Sequence, residues 1–548
     1  MEWEEEIPQY SKEVAKGSFW NIVGNVIMKL VSFLYVILIA RAASQGDVGL
    51  FYLALSVVSL VSIFSDLGLA GALMRYIPYF EGRNEKGKIK DLLKLSYAVS
   101  SVVAVILMAI LWWQADTIAA AYHNPLLSEA IRLLVSYLLL ANFLRLGTSA
   151  LQGFADMHSM QYVSNVQNCL KLVFTVALFY LYGASVLTLS AAFIISHIPA
   201  VILAVVSVGR RTASFPSGGT SIPSQQLFGE IVPFGLMLNV VTLFWTMTGY
   251  VDRLLLGYFT DPSISTEIVA VYTIAVTMAT VLMMFPGAVA SIFLPVMSRL
   301  AGKNEPAHMR AILETSQRWT MLLTLPLGLV MIVFSQDMLG AFYGQAYASG
   351  GLAMAIFTLG LLIQTLAYVL LFALAALRLV KLELRIAFIV TLVNVALNIL
   401  LIPIYGMEGS AAASLVSCIV MTMMLMHYGS KLFSFRFPLE IYKLVLAAAI
   451  TFAIMLLMKP YASSFVPLLP SLDAGSLQPY ANKIIYLAYL GILGALSTAV
   501  FLVLSVILRC LRNEDVLLMK KAMLRAKIPS QLIDLAAAIG SFGVGTRK

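Results

Sequence analysis

Apolar residues run along this chain in long blocks, each closed by a short cluster of turn-forming or charged residues. At about 1.5 Å rise per residue, a block of about twenty crosses the roughly 30 Å of hydrocarbon in a bilayer. Length and flanks predict about fourteen such helices. They lie at 18–40, 48–74, 93–114, 131–151, 162–182, 186–208, 231–259, 269–296, 311–335, 352–376, 384–402, 409–427, 441–458 and 484–508. The blocks are continuous rather than alternating, which argues against a membrane β-barrel and predicts an all-α polytopic membrane protein.

Several blocks carry a polar stripe at helical spacing. The first has Asn21, Asn25, Lys29 and Ser32; the second has Ser59, Ser62 and Asp66, with Arg75 closing its inner end. The fifth has Ser164, Asn168, Lys171 and Thr175. The seventh has Asn239, Thr242, Thr246, Gly249 and Arg253 with Asp252 beside it, and the eleventh has Thr391, Asn394 and Asn398. At the Asn, Ser and Thr positions, hydrogen bonds between helices, worth about 1 kcal/mol each, are as good a reading as a pathway. Lys29 and Lys171 sit near mid-span. An ammonium there is expensive in lipid and is expected to face a wet interior. Asp66 reads either as the partner of a lysine or as a proton or cation site. Asp252 is a second candidate for ion coupling, with an ordinary interfacial pair to Arg253 as the competing reading.

Loop charge orients the spans. Loops 42–47, 115–131, 259–269, 337–350, 403–408 and 460–482 contain no Lys or Arg. The alternate loops are basic: Arg83, Lys86, Lys88 and Lys90; Arg210 and Arg211; Arg299, Lys303 and Arg310; Arg378, Lys381 and Arg385; Lys431 and Arg436. Under the positive-inside rule both termini are cytoplasmic, which requires an even number of spans. The chain also repeats itself. Asp47–Tyr52 resembles Glu267–Tyr272, each opening a long helix, and Tyr180-Leu181-Tyr182-Gly183 resembles Pro403-Ile404-Tyr405-Gly406. The expected organisation is a cytoplasmic segment (1–17), an N-lobe of six helices (18–208), a turn-rich cytoplasmic linker (209–229), a pseudo-symmetric C-lobe of six helices (230–428), two further helices (429–509) and an amphipathic cytoplasmic tail (510–548).

Composition agrees and narrows the function. Of 548 residues, 60% are hydrophobic and 11% charged, and mean hydropathy is +0.91. The formal charge of +9 belongs to cytoplasmic loops in such a protein, so it does not imply nucleic acid. The three cysteines are scattered and the five histidines form no i,i+4 pair, so no metal or other cofactor is expected. A GxxxxGK[ST] phosphate loop is missing, and no loop on the Lys/Arg-poor side is long enough for a catalytic domain. A transporter is expected rather than an enzyme.

The opening GSFWNIVGNVIMKLVSFLYVILIARAAS, followed by DVGLFYLALSVVSLVSIFSDLGLAGALMRYIP, resembles the polysaccharide transporter family. These are Wzx-type flippases of the multidrug/oligosaccharidyl-lipid/polysaccharide exporter superfamily. Tyr250–Gly257 is similar to that family's Asp-Arg/Lys helix end, and Asn394–Gly409 to its Asn…Pro…Tyr-Gly…Gly pattern. The resemblance implies two six-helix lobes around a central cavity plus two extra helices. It implies carriage of a lipid-linked oligosaccharide, on polyprenyl phosphate or diphosphate, from the cytoplasmic to the outer leaflet of the cell membrane. Arg75 and Arg145 would then stand near the inner mouth, Lys29 and Lys171 midway, and Arg41 and Arg253 near the outer mouth, with Asn25, Asn168, Asn394 and Asn398 among the lining groups. Membrane lipid and glycan polymerases or glycosyltransferases are the implied partners. The alternatives are a multidrug exporter of the same superfamily, an intramembrane glycan polymerase or ligase, and a membrane scaffold that transports nothing.

Overall fold

The computed structural model describes residues 2–216, 229, 231–303, 305–377, 379–433, 435, 437–465, 478–510, 512 and 515. The tail expected to be amphipathic, the middle of the 209–229 linker, the centre of loop 460–482, Arg378, Arg436 and the side chain of Asn21 lie outside the described residues. Helix dominates, and no strand occurs among the described residues. Twelve described helices are long and apolar enough to cross a membrane. One of these, Val380–Phe433, contains 54 residues and is interrupted at Gly406. The 26-residue helix Met157–Tyr182, which carries the Lys171 stripe, is not among the twelve.

Two compact units emerge, Met1–Ile274 with Val380–Ala413 and Ala275–Leu379 with Ser414–Lys548. The first is built from α1 (Glu2–Ala42), α2 (Gln45–Ser62), α3 (Leu69–Gly82), α4 (Lys86–Ala121), α5 (Leu126–Leu134), α6 (Tyr137–Gly153), α7 (Met157–Tyr182), α8 (Val186–Thr212), α9 (Val232–Phe259), the start of α10 (Ser265–Ala279) and the start of α16 (Val380–Phe433). Its helices begin where the sequence supplies caps. Ser44 accepts from the Asp47 N–H, Asp156 accepts from the Ser159 N–H, and Ser185 forms a capping box with Thr188. A core of Leu69, Leu73, Ile77, Leu92, Leu146 and Ala204 joins α3, α4, α6 and α8. Small residues allow the close approaches there: a Cβ on Gly147 would lie 2.8 Å from the Ala204 Cβ.

The two repeated motifs occupy like positions. Asp47 and Glu267 each stand in the first turn of their helix. Gly183 and Gly406, the glycines of the matched Tyr-Gly pairs, both have positive φ and both interrupt consecutive helices.

Four of the expected spans are not single helices, which corrects the reading of 48–74, 131–151, 269–296 and 352–376 as unbroken rods. The second breaks after Ser62 into a 3₁₀ turn (Ile63–Ser65), with Leu67 and Gly68 at positive φ. The fourth separates α5 from α6. The eighth passes through a 3₁₀ turn (Thr280–Met283) into α11 (Met284–Gly302), and the tenth separates α14 (Gly351–Thr365) from α15 (Tyr368–Ala376). Irregular backbone at membrane depth survives only where protein groups or water satisfy it. Gln317 donates to the Thr365 carbonyl at 2.7 Å, and Asp66 and Asn239 serve the first break.

The second unit holds the end of α10, α11, α12 (Pro306–Val333), α13 (Ser335–Tyr343), α14, α15, the distal part of α16, α17 (Leu439–Phe465) and α18 (Gln478–Ile507). An ionic network ties its last elements to α12. Arg318 donates to both carboxylate oxygens of Asp515 at 3.2 and 3.1 Å, and both side chains are 3% exposed. Trp319 Nε1 donates to Asp515 Oδ1 at 3.1 Å. Arg512 reaches Glu440 at 2.7 and 3.2 Å and Glu314 at 3.4 Å, contacts that raise its already high pKa. Removing one partner of such a buried pair leaves the other charge uncompensated, at about 3–5 kcal/mol. Arg318→Met is therefore expected to lower the melting temperature of the detergent-solubilised protein more than Arg318→Met combined with Asp515→Leu. Equal shifts would mean that the pair is not coupled. Nearby, burial pushes the Cys510 thiol up to about 11. At neutral pH it should react with maleimide far more slowly than a free cysteine thiol, as mass spectrometry of partly labelled protein can read.

Candidate functional site

All the candidate residues fall in the first unit, and the structure sorts them into three groups. The first is centred on Lys171. Helices α1 and α7 run parallel, with Gly24 against Gln161, Ser32 against Asn168 and Tyr35 against Lys171. Ser32 donates to Asn168 Oδ1 at 3.2 Å. The same oxygen receives Lys171 Nζ at 3.2 Å, and that ammonium stands 4.4 Å from the centre of the Tyr35 ring. A lysine Nζ on an aromatic face with one amide acceptor keeps donors to spare.

Another cation, Arg253, also stands beside tyrosines. The Arg253 guanidinium lies 5.9 Å from the Tyr52 ring centre and 5.4 Å from that of Tyr250. Lys171, Arg253 and Arg145 are half-buried, so each is held by protein while part of its surface remains open. The sequence stripes picked out Lys171 and Arg253, but not the tyrosines against them; Arg145 came only with the family resemblance. A Tyr in a membrane helix looks like any other apolar residue, and no spacing rule marked Tyr35, Tyr52 and Tyr250.

The second group is structural in its contacts. Asp252 is 5% exposed. Its carboxylate accepts from Tyr272 Oη at 2.9 Å and from Asn398 Nδ2 at 2.8 Å, and Asn398 also donates to the Asn394 carbonyl at 2.9 Å. Thr248 and Thr391 meet at 2.9 Å. These bonds join α9, α10 and α16. Asp66, 3% exposed, does the same for the broken second span. It accepts from the Gly68 N–H and from Asn239 Nδ2, each at 2.9 Å, and its other oxygen lies 3.6 Å from Arg145 Nη1. No lysine partners it among the described residues.

The third group stands apart. Lys29 and Asn25 are exposed. Lys29 lies six residues before Tyr35 on α1, about 9 Å along the axis from the level of Lys171, so the two lysines are not side by side. Arg41 is exposed as well. Arg75, also exposed, stacks its guanidinium 4.1 Å from the Phe234 ring centre. Within the second unit, Met321, Leu325, Ile356, Leu359, Val445 and Phe452 line an apolar groove of about 470 Å³ between α12, α14 and α17.

Comparison with known proteins follows this arrangement. Residues 14–301 match the polysaccharide biosynthesis protein family, and residues 239–400 match MatE. A probable low-salt glycan biosynthesis flippase of Haloferax volcanii is 24% identical over 433 residues, covering 78% of this chain and 85% of that protein. An uncharacterized membrane protein of Methanocaldococcus jannaschii is 22% identical over 440 residues, covering 78% and 86%. Among solved structures, the lipid II flippase MurJ in its inward closed conformation superposes with a TM-score of 0.67 at 15% identity, over 87% of this chain and 97% of that one. The fold is thus that of the flippase and multidrug-transporter superfamily.

Proposed function

This chain belongs to the polysaccharide biosynthesis protein family, and from that premise we propose that it is a flippase for a lipid-linked oligosaccharide. The observation that carries the reading is that Lys171 and Arg253 lie against tyrosine rings and, with Arg145, are left partly open. A polyprenyl diphosphate sugar has an anionic head that cannot enter hydrocarbon unaided. Fixed cations replace its water, and several of them hold the anion without trapping it at one point. Arginine adds planar, bidentate recognition of phosphate that lysine lacks. Asn168 positions Lys171. Lys29, Arg75 and Arg41 serve as outlying cations on the route, and the apolar groove of the second unit offers a surface for the isoprenoid chain. Asp252 with Asn394 and Asn398 ties helices together rather than coupling an ion.

The multidrug-exporter reading has the MatE match behind it. Its usual cationic substrates would meet a predominantly cationic wall here, with Asp66 and Asp252 both engaged by protein groups. We assign the fourteen-span count, the two six-helix lobes, the cell-membrane location and the cytoplasmic termini to the same reading. If the topology is right, Lys88→Cys and Lys520→Cys label from the same face of sealed vesicles; labelling from opposite faces would refute it. The function itself is tested by reconstituting the protein with a fluorescent lipid-linked glycan and following its loss from one leaflet. Export of cationic dyes with no glycan movement would favour the exporter.

A further inference from the structure

The break in the second span is held from several helices at once. Asn239 on α9 donates through one amide nitrogen to Asp66 Oδ1 at 2.9 Å and to the Ile63 carbonyl at 3.0 Å. That single group bridges both sides of the break. Gly68 and Gly235 approach so closely that a Cβ on Gly68 would lie 1.9 Å from the Gly235 carbonyl oxygen. Asp66 is therefore the pin that holds α9 against the α2–α3 turn. The carboxylate's remaining oxygen has Arg145 at 3.6 Å, and the Arg145 side chain is 33% exposed against 4% for that of Asp66. A guanidinium open to that extent in a membrane protein faces water rather than hydrocarbon. Arg145 thus has a buried carboxylate on one side and an open face on the other.

We infer that the anionic head of the substrate competes with Asp66 for Arg145, so that binding the substrate unpins α9 from the broken second span. The inference rests on the proposed reading, which supplies the anion. The chemistry favours the exchange. A diphosphate offers Arg145 two parallel charge-assisted hydrogen bonds, whereas 3.6 Å is too long for a good one. Once Arg145 turns away, Asp66 is a buried carboxylate held only by neutral donors, which disfavours its charge where it stands. Access to water relieves that cost, and Asp66 gains it by releasing Asn239. The energy of binding is thereby spent on separating α9 from α3.

The same interface supplies a reporter. A Cβ on Gly71 of α3 would lie 3.6 Å from the Leu238 Cβ of α9, within the range of a disulfide. In full-length protein lacking Cys169, Cys418 and Cys510, Gly71→Cys with Leu238→Cys should crosslink readily in the absence of ligand. Inorganic pyrophosphate, as a probe of the diphosphate head, should slow crosslinking several-fold and should fail to do so when Arg145 is replaced by Gln. Asp66→Asn preserves shape and the acceptor for the Gly68 N–H but removes the competing charge. Its Oδ1 still accepts from Asn239, so it should crosslink as readily as the parent without ligand, lose the slowing by pyrophosphate, and bind pyrophosphate about two- to fivefold more tightly, as expected for loss of a partly exposed ion pair. Asn239→Ala, which leaves Asp66 in place but removes both amide bonds, should crosslink more slowly without ligand. Pyrophosphate binding, measured by calorimetry, with no change in crosslinking overturns the exchange and leaves the flippase reading standing. No binding by the parent protein overturns both, unchanged crosslinking in Asn239→Ala removes the pin, and slowing by pyrophosphate that persists in Asp66→Asn removes the exchange.

Discussion

Lys171→Glu is expected to cut glycan translocation at least about tenfold, the equivalent of about 1.4 kcal/mol in the barrier, with membrane insertion unchanged. The side chain is fixed by Asn168 at 3.2 Å and by the face of Tyr35 at 4.4 Å. A carboxylate in that place loses both contacts, since the ring face repels an anion and Asn168 Oδ1 can only accept. It also reverses the field that meets the phosphate. Insertion should survive, because orientation follows loop charge rather than one residue within a span. Lys29→Glu should fall less, because Lys29 is exposed and about 9 Å along the helix from the level of Lys171. Lys171→Arg should retain more activity than Lys171→Glu. The measurement is the rate of leaflet exchange in proteoliposomes at matched protein content. Full activity in Lys171→Glu would remove the cationic wall from the mechanism.

The contrast between the two lysines shows what a polar stripe can reveal. Helical spacing placed Lys29 with Ser32 and Lys171 with Asn168, and the structure joins those stripes through Ser32 and Asn168. Spacing cannot tell which edge of a stripe turns toward the neighbouring helix. Lys29 and Asn25 lie on the outer edge, whereas Tyr35, read as merely apolar, lies against Lys171. The helix breaks were hidden for a related reason. Ile63–Gly68 continues the apolar pattern on both sides, and a single glycine in a membrane span is common. Only the capping of Asp66 by a distant residue, Asn239, makes the break stable, and that partner stands 173 positions away. Long apolar runs and repeated Tyr-Gly pairs are local signals, so they were legible. The ionic contacts of Arg318 with Asp515 and of Arg512 with Glu440 join segments far apart in sequence, and nothing local announces them.

Gly68→Ala should lower stability by about 2–5 kcal/mol, adding the strain of an L-residue in the left-handed region to the cost of overpacking. Gly68 has φ +77°, and the new methyl would sit 1.9 Å from the Gly235 carbonyl oxygen. That atom is backbone, so no flexible side chain can give way. Relief requires α9 to move off the turn, which breaks the Asn239 bonds to Asp66 and Ile63 as well. Gly235→Ala makes the reciprocal contact at 2.8 Å without a positive φ, and Gly287→Ala meets nothing within 4 Å. The expected order of melting temperatures in detergent is therefore Gly287→Ala highest, then Gly235→Ala, then Gly68→Ala. Equal melting of all three would show that the close approach is not needed. Gly68→Asn separates the two causes, because Asn tolerates the left-handed region better than Ala yet carries the same Cβ. If Asn is as damaging as Ala, contact with Gly235 dominates. Recovery with Asn would assign the loss to backbone strain, and would mean that α9 can stand off the turn at little cost.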